Sequence, residues 1–291
     1  MVETLRLKWP DVRTEPTTGP GTAAGLAARA IEAGAGMILV AGGDGTMNEC
    51  LDGVAGTNVP FGLVPFGTAN VLSNELGLGN SPLRAARRLT ECQPVPVALG
   101  RMITERGTRR FLCMAGVGLD AYVARRVNSA LKLRIGKVAY WLQALRQAGS
   151  RLPEFKVRVA GREHRASFAL ISRVRNYGGD LVLARNANLL EDHFAVVLFQ
   201  GANASRYLGY LLGVVSNTAH RMDGVTMVDA TQVEVEPLDQ TQQIERQVDG
   251  EPAGEGRARF EITESGVRLM VPAPFVSVMT PAAVRLQPEP L

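Results

Sequence analysis

The chain has 291 residues, 46% of them hydrophobic, and a net charge of +4. At ~100–200 residues per domain this is material for two domains, yet no apolar run reaches the ~18–20 residues of a membrane-spanning helix. Met1–Asp11 mixes charged and apolar residues where a secretory signal has a basic start and a long apolar stretch, so a cytoplasmic protein is expected. Only 5% of the residues are aromatic, and no helix-turn-helix or ribonucleoprotein signature is present. The positive charge therefore points to phosphates or acidic surfaces and not to nucleic acid. Cys50, Cys92 and Cys113 are scattered and form no CxxC pair, which suits reduced, packed thiols and not a zinc site.

In chain order, Thr22–Ala33 has apolar residues at helical spacing and ends at Gly34 and Gly36. Met37–Ala41 is a short apolar run expected of a strand buried on both faces. Gly42-Gly43-Asp44-Gly45-Thr46 follows as a turn, then Met47–Val54 as a helix. Thr46 and Glu49 have capping-box spacing, which predicts a helix start at Thr46. Phe61–Pro65 repeats the strand, Phe66-Gly67-Thr68-Ala69-Asn70 the turn, and Val71–Leu76 the helix, closed by Gly77. Strand, turn and helix twice over is the grammar of a parallel sheet with helical crossovers.

From about Val95 the pattern changes to short alternating strands, several separated by turn residues: Phe155–Ala160, Phe168–Ser172, Ala195–Phe199, Gln232–Val235, Ile244–Val248, Ala258–Ile262 and Val267–Val271. Helical stretches at Lys137–Gln147 and Ser205–Val214 interrupt them. The expected fold is an α/β N-terminal domain with a parallel sheet, residues 1–95, followed by a mostly antiparallel β domain, residues 96–271. The proline-spaced tail, 272–291, is free to pack back on the first domain.

The glycines at 42, 43 and 45 let the backbone turn sharply and let a phosphate approach its amides at a helix start. Asp44 would repel that phosphate unless magnesium lies between them or its carboxylate meets hydroxyls. A tight Asp-Gly turn with no ligand is the plain alternative. The second elbow, at 66–70, would lie beside the first at the carboxyl edge of the sheet, where open α/β sheets bind ligands. There Thr68 offers a hydroxyl, while Asn70 either bonds the ligand or caps its helix. Asp249-Gly250 between strand patterns is a hairpin signal in its own right. Arg125, Arg126, Lys132, Arg134 and Lys137 lie among apolar residues, as in a membrane-surface segment or a solvated basic face.

AGGDGTMNECLDGV (41–54) and VPFGTANVLSNELGLG (64–79) together resemble the signature of the diacylglycerol kinase catalytic-domain family of lipid kinases, which includes bacterial diacylglycerol kinases and sphingosine kinases. TTGPGTAAGLA, GVGLDAYVARRV, GKVAYWLQAL, YGGDLVLARNANLLED and QVDGEPAG extend the resemblance over most of the chain. The resemblance implies a phosphofructokinase- and NAD kinase-like first domain. It implies an ATP site at Gly42, Gly43, Asp44, Gly45, Thr46, Met47 and Asn48, joined by Gly67, Thr68 and Thr17. A catalytic base is implied at Asp249 or Glu251, and a second Mg2+ held by Leu189, Asp192 and Phe194, with His193 where the family has glycine. The implied reaction moves the γ-phosphoryl of ATP to a lipid hydroxyl, diacylglycerol first and another glycerolipid or a sphingoid base next.

Partners would be the lipid and an anionic membrane, at the inner membrane surface, with a homodimer left open. An NAD kinase-type enzyme and a catalytically silent lipid- or nucleotide-binding protein are the other readings. Two departures from the family pattern stand out. Met1–Trp9 lacks the opening strand and Asn-Pro loop, so the sheet is expected to lack its first strand, and Ala98 stands where an aspartate is usual.

Overall fold

The computed structural model describes residues 1–119, 121, 152–178, 181–239, 241–264 and 266–279. They form two compact units, one from Met1–Ala98 with the described residues after 265, the other from Leu99–Glu264.

The first unit contains α1 (Val2–Arg6), α2 (Ala23–Glu32), β1 (Ile38–Gly42), α3 (Asp44–Val54), β2 (Pro60–Pro65), α4 (Val71–Glu75), α5 (Pro82–Leu89) and β3 (Cys92–Val97). It takes back the last described strand, β18 (Val267–Pro272), and the helix after it, α7 (Ala273–Met279). The sheet order is β1-β2-β18-β3. β1 and β2 run parallel with Gly42 opposite Pro65, so both strands end at the same edge. β18 is parallel to β2 and antiparallel to β3, and so belongs to this sheet and not with the β strands that precede it in sequence. Its apolar residues Val267, Leu269, Met270 and Val271 are buried there. β3 holds Pro94 and Pro96, which lack a donor; on an edge strand, two residues apart, both can turn their nitrogens away from β18. Val2–Arg6 is a helix that buries Leu5, so no strand opens the described sheet.

In the second unit come β4 (Gly100–Thr104), β5 (Gly107–Phe111), β6 (Met114–Gly118), β7 (Phe155–Val159), β8 (Arg162–Ala166), β9 (Phe168–Ser172), β10 (Asn176–Tyr177), β11 (Leu181–Val182) and β12 (Phe194–Phe199). After them come α6 (Ala204–Val215), β13 (Val225–Ala230), β14 (Gln232–Pro237), β15 (Glu245–Val248), β16 (Glu251–Glu255) and β17 (Ala258–Ile262). Two antiparallel sheets, β13-β12-β9-β6-β15-β16 and β5-β4-β17-β14-β7-β8, share one apolar core. Phe111, Phe155 and Phe260 from one sheet meet Ile171, Phe194 and Val196 from the other. Successive side chains alternate between faces, so Phe168 and Phe199 point to the opposite face of the first sheet, where they meet Tyr207 and Tyr210 of α6. That second layer explains why β9 and β12 are buried along their whole length and do not alternate as expected.

Candidate active site

The first elbow leaves β1 at Gly42, and Gly43 caps α3 in an extended conformation, so the helix starts at Asp44 and not at the expected Thr46. The capping box does not form. Glu49 instead accepts the amide of Gly21 at 2.9 Å, tying the TTGPGTA segment to α3. The second elbow is zipped to the first, because the Phe66 amide donates to the Gly42 carbonyl at 2.9 Å. A Cβ on Gly67 would come within 2.7 Å of the Gly43 Cα and 2.9 Å of Asn70 Oδ1, so only two glycines allow the elbows to meet this closely.

Asp44 stitches the pair, with its Oδ1 accepting the Val71 amide, the first of α4, at 2.9 Å. Asn70 holds the N-cap position of α4 at φ 45°, but its side chain turns back on its own elbow. Its Oδ1 accepts the Gly67 amide at 2.9 Å, and its Nδ2 donates to the Gly67 carbonyl at 2.8 Å and to Asn80 Oδ1 at 3.1 Å. Asn70 thus shapes the turn, and Asp44 supplies the cap. The carboxylate also sits at the positive end of α3, where negative charge is favoured.

Of the residues expected at the nucleotide, Gly42, Gly43, Asp44, Gly45 and Thr46 are half-buried, while Gly67 and Thr68 are exposed. Met47 and Asn48 point inward, Met47 at 1% exposure, so the Met47 side chain serves the core. Thr17 is exposed in the irregular segment before Gly21. Phe66, the first residue of the second elbow, is a 57% exposed ring for which no ligand role is expected from sequence, since an aromatic inside a turn carries no periodic signal.

Asp249 and Glu251, in the second unit, have unlike surroundings. Asp249 and Gly250 both have positive φ, 47° and 87°, and form the tight turn that pairs Val248 with Glu251. The Asp249 carboxylate is buried and accepts three consecutive amides, from Leu112 at 3.0 Å, Cys113 at 3.0 Å and Met114 at 2.8 Å. Its own amide donates to the Met114 carbonyl at 2.8 Å. Glu251 is exposed at the start of β16.

The loop expected to hold magnesium is organised differently. Leu189 and Phe194 are fully buried, with Phe194 stacked on Phe111 at 5.7 Å, and Asp192 is exposed. The Leu189 carbonyl accepts from Arg173 Nη2 at 2.7 Å and the Glu191 carbonyl from Arg173 Nη1 at 2.7 Å. Of the expected ligands, Leu189 thus has its carbonyl taken by a guanidinium, so the loop as it stands does not offer that oxygen to a magnesium ion. Among the described residues no cluster of three His, Cys, Asp or Glu side chains is placed to hold a metal. The basic segment Arg125–Lys137 lies outside the described residues.

Residues 1–102 match the family described as diacylglycerol kinase catalytic domain, and residues 113–271 match the YegS C-terminal NAD kinase beta sandwich-like domain. The chain belongs to the diacylglycerol kinase catalytic-domain family. A diacylglycerol kinase of Mycobacterium tuberculosis H37Rv is 27% identical over 217 residues, which is 72% of this chain and 70% of that protein. One from Staphylococcus carnosus TM300 is 27% identical over 254 residues, 84% of this chain and 79% of that one. A crystal structure described as that of a diacylglycerol kinase from Bacillus anthracis Sterne superposes with a TM-score of 0.73 at 20% identity, covering 94% of this chain and 90% of that one. Membership in this kinase family implies ATP as the phosphate donor, and the two-domain fold is that of the family.

Proposed function

We propose that the protein transfers the γ-phosphoryl group of ATP to a hydroxyl of a membrane lipid, with diacylglycerol as first acceptor and phosphatidic acid as product. The observation that carries this reading is the direct contact of the two glycine elbows at one edge of a parallel sheet, stitched by Asp44. Their backbone amides and the start of α3 suit the phosphates of a nucleotide, and Thr68 and Phe66 are exposed beside them. ATP is taken as its magnesium complex, which spreads charge off the transferring phosphoryl oxygens. Glu251, whose carboxylate is open to solvent, is the better candidate to accept the proton of the acceptor hydroxyl. Asp249 holds the turn that presents it. Labelled ATP offered with mixed lipid vesicles is expected to give a labelled lipid. Labelled NADP from added NAD would instead favour an NAD kinase, and no product a silent binding protein.

Asp44 can be tested apart from its cap. Asp44→Ala removes the acceptor of the Val71 amide and is expected to cost about 1 kcal/mol of stability together with turnover. Asp44→Asn keeps an acceptor oxygen and gives up only the charge at the start of α3, so it should melt closer to the parent than the alanine variant does and still lose turnover if the charge serves the nucleotide and its magnesium. Full turnover in the asparagine variant would reduce Asp44 to a cap.

A membrane-facing surface is supported on α6, where Leu208, Leu212 and Val215 are 45%, 64% and 50% exposed on one stripe beside Val182 at 38%. Arg185, 3.1 Å from His220, and Arg221 place cations near the same helix. Apolar residues flanked by cations suit the surface of an anionic bilayer. Changing Leu208 and Leu212 to Asp should weaken cosedimentation with anionic vesicles roughly tenfold or more and leave turnover on a detergent-dispersed, short-chain acceptor intact. Unchanged vesicle binding would remove α6 from the contact.

A further inference from the structure

Arg173 is the largest fully buried side chain described, at 0% exposure. It follows β9, and the register of Ser172 opposite Ala195 sets it across from the loop that leads into β12. Besides the Leu189 and Glu191 carbonyls at 2.7 Å, its Nη1 lies 3.4 Å from the carbonyl of His193. Three carbonyls of one short loop therefore converge on one cation, an arrangement that is repulsive unless positive charge sits inside it. Burial pulls the guanidinium down to about 10, with the charge of Asp192 acting in the opposite sense, so it stays protonated at neutral pH. Asn188 Oδ1 and Nδ2 brace the same loop through the Leu190 amide and the Glu191 carboxylate, at 3.1 and 2.8 Å.

The arginine reaches further through its backbone. Its amide donates to the Cys113 carbonyl at 2.8 Å, and the Cys113 amide donates to Asp249. The turn at 112–114 is thus gripped by Arg173 on one side and by the carboxylate of Asp249 on the other.

We propose that Arg173 is a built-in cation that replaces a metal ion in the loop of residues 188–194, making the order of that loop independent of free divalent cations. It acts as a positioning residue, fixing the loop and the turn on which Asp249 is anchored. The inference stands whether or not the acceptor is a lipid.

Thermal melting of the full chain without nucleotide, in EDTA and in excess Mg2+ or Ca2+, tests it. The parent protein should melt at one temperature in all three. Arg173→Ala should melt on the order of 10 °C lower and recover part of the loss in Mg2+ or Ca2+, as a metal enters among the freed carbonyls. Adding Asp192→Asn to that variant should abolish the recovery. If the alanine variant does not fold, Arg173→Lys keeps the charge without the two-pronged geometry, and should melt lower than the parent yet ignore both metals. A saturable metal-induced rise in the parent protein that Asp192→Asn removes would overturn the proposal. So would a folded alanine variant that melts normally or ignores both cations, or a lysine variant that either melts normally or is stabilised by them.

Discussion

Glu251→Gln is expected to lower turnover by about 10²–10⁴-fold, the usual contribution of a positioned general base, while the melting temperature stays at the parent value. The side chain is exposed at the first residue of β16, so the exchange leaves the sandwich core untouched. Glutamine keeps the size and polarity of glutamate but cannot take a proton from a hydroxyl at neutral pH. A lipid alcohol is a poor nucleophile until that proton has somewhere to go, whereas the nucleotide side of the reaction depends mainly on positioning and charge. The defect should therefore fall on kcat, with the KM for ATP little changed. Single-turnover measurements alongside ATP titration and thermal melting separate these quantities. Turnover within twofold of the parent would remove Glu251 from the chemistry.

The parts of this protein legible in its sequence are those fixed by local grammar. Two repeats of strand, glycine turn and helix in the first hundred residues predict parallel strands with adjacent elbows, and β1 and β2 pair in that way. Less was legible where two residues compete for one local role. Thr46 and Glu49 have the spacing of a capping box, but Gly43 caps α3 and the Glu49 carboxylate is drawn to the Gly21 amide, 28 positions away. Asn70 looked like the cap of α4, and a carboxylate from the other elbow took that amide. β3 went unread because Pro94 and Pro96 argue against a strand until its place on the sheet edge is known. β18 is a similar case, since nothing within Val267–Pro272 says that it returns to the first sheet. Arg173 was invisible for a different reason: an arginine after an apolar strand reads as the start of a surface loop, and only the β9–β12 register reveals the carbonyls waiting for it.

Asp249→Ala should be strongly destabilising, with a loss of about 3–5 kcal/mol. The carboxylate accepts the amides of Leu112, Cys113 and Met114, and its truncation strands all of them in a region where each residue is at most 5% exposed. A buried amide without a partner costs roughly 1–3 kcal/mol, and relaxation of the turn keeps the sum below simple addition. Asp249→Asn should fall between parent and alanine: one oxygen still accepts, while the new NH2 turns a donor toward an amide that needs an acceptor. Asparagine tolerates the φ of 47° as well as aspartate does, so backbone strain stays constant and the difference reports on the lost acceptor and charge. Urea unfolding of the three proteins, with the m-values compared, should order them as parent, asparagine, alanine. Turnover should fall in step with stability in this series, whereas in Glu251→Gln it falls alone. Equal midpoints for alanine and parent would show that Leu112, Cys113 and Met114 find other partners, and the proposed division of labour between a buried latch at Asp249 and a base at Glu251 would fail with them.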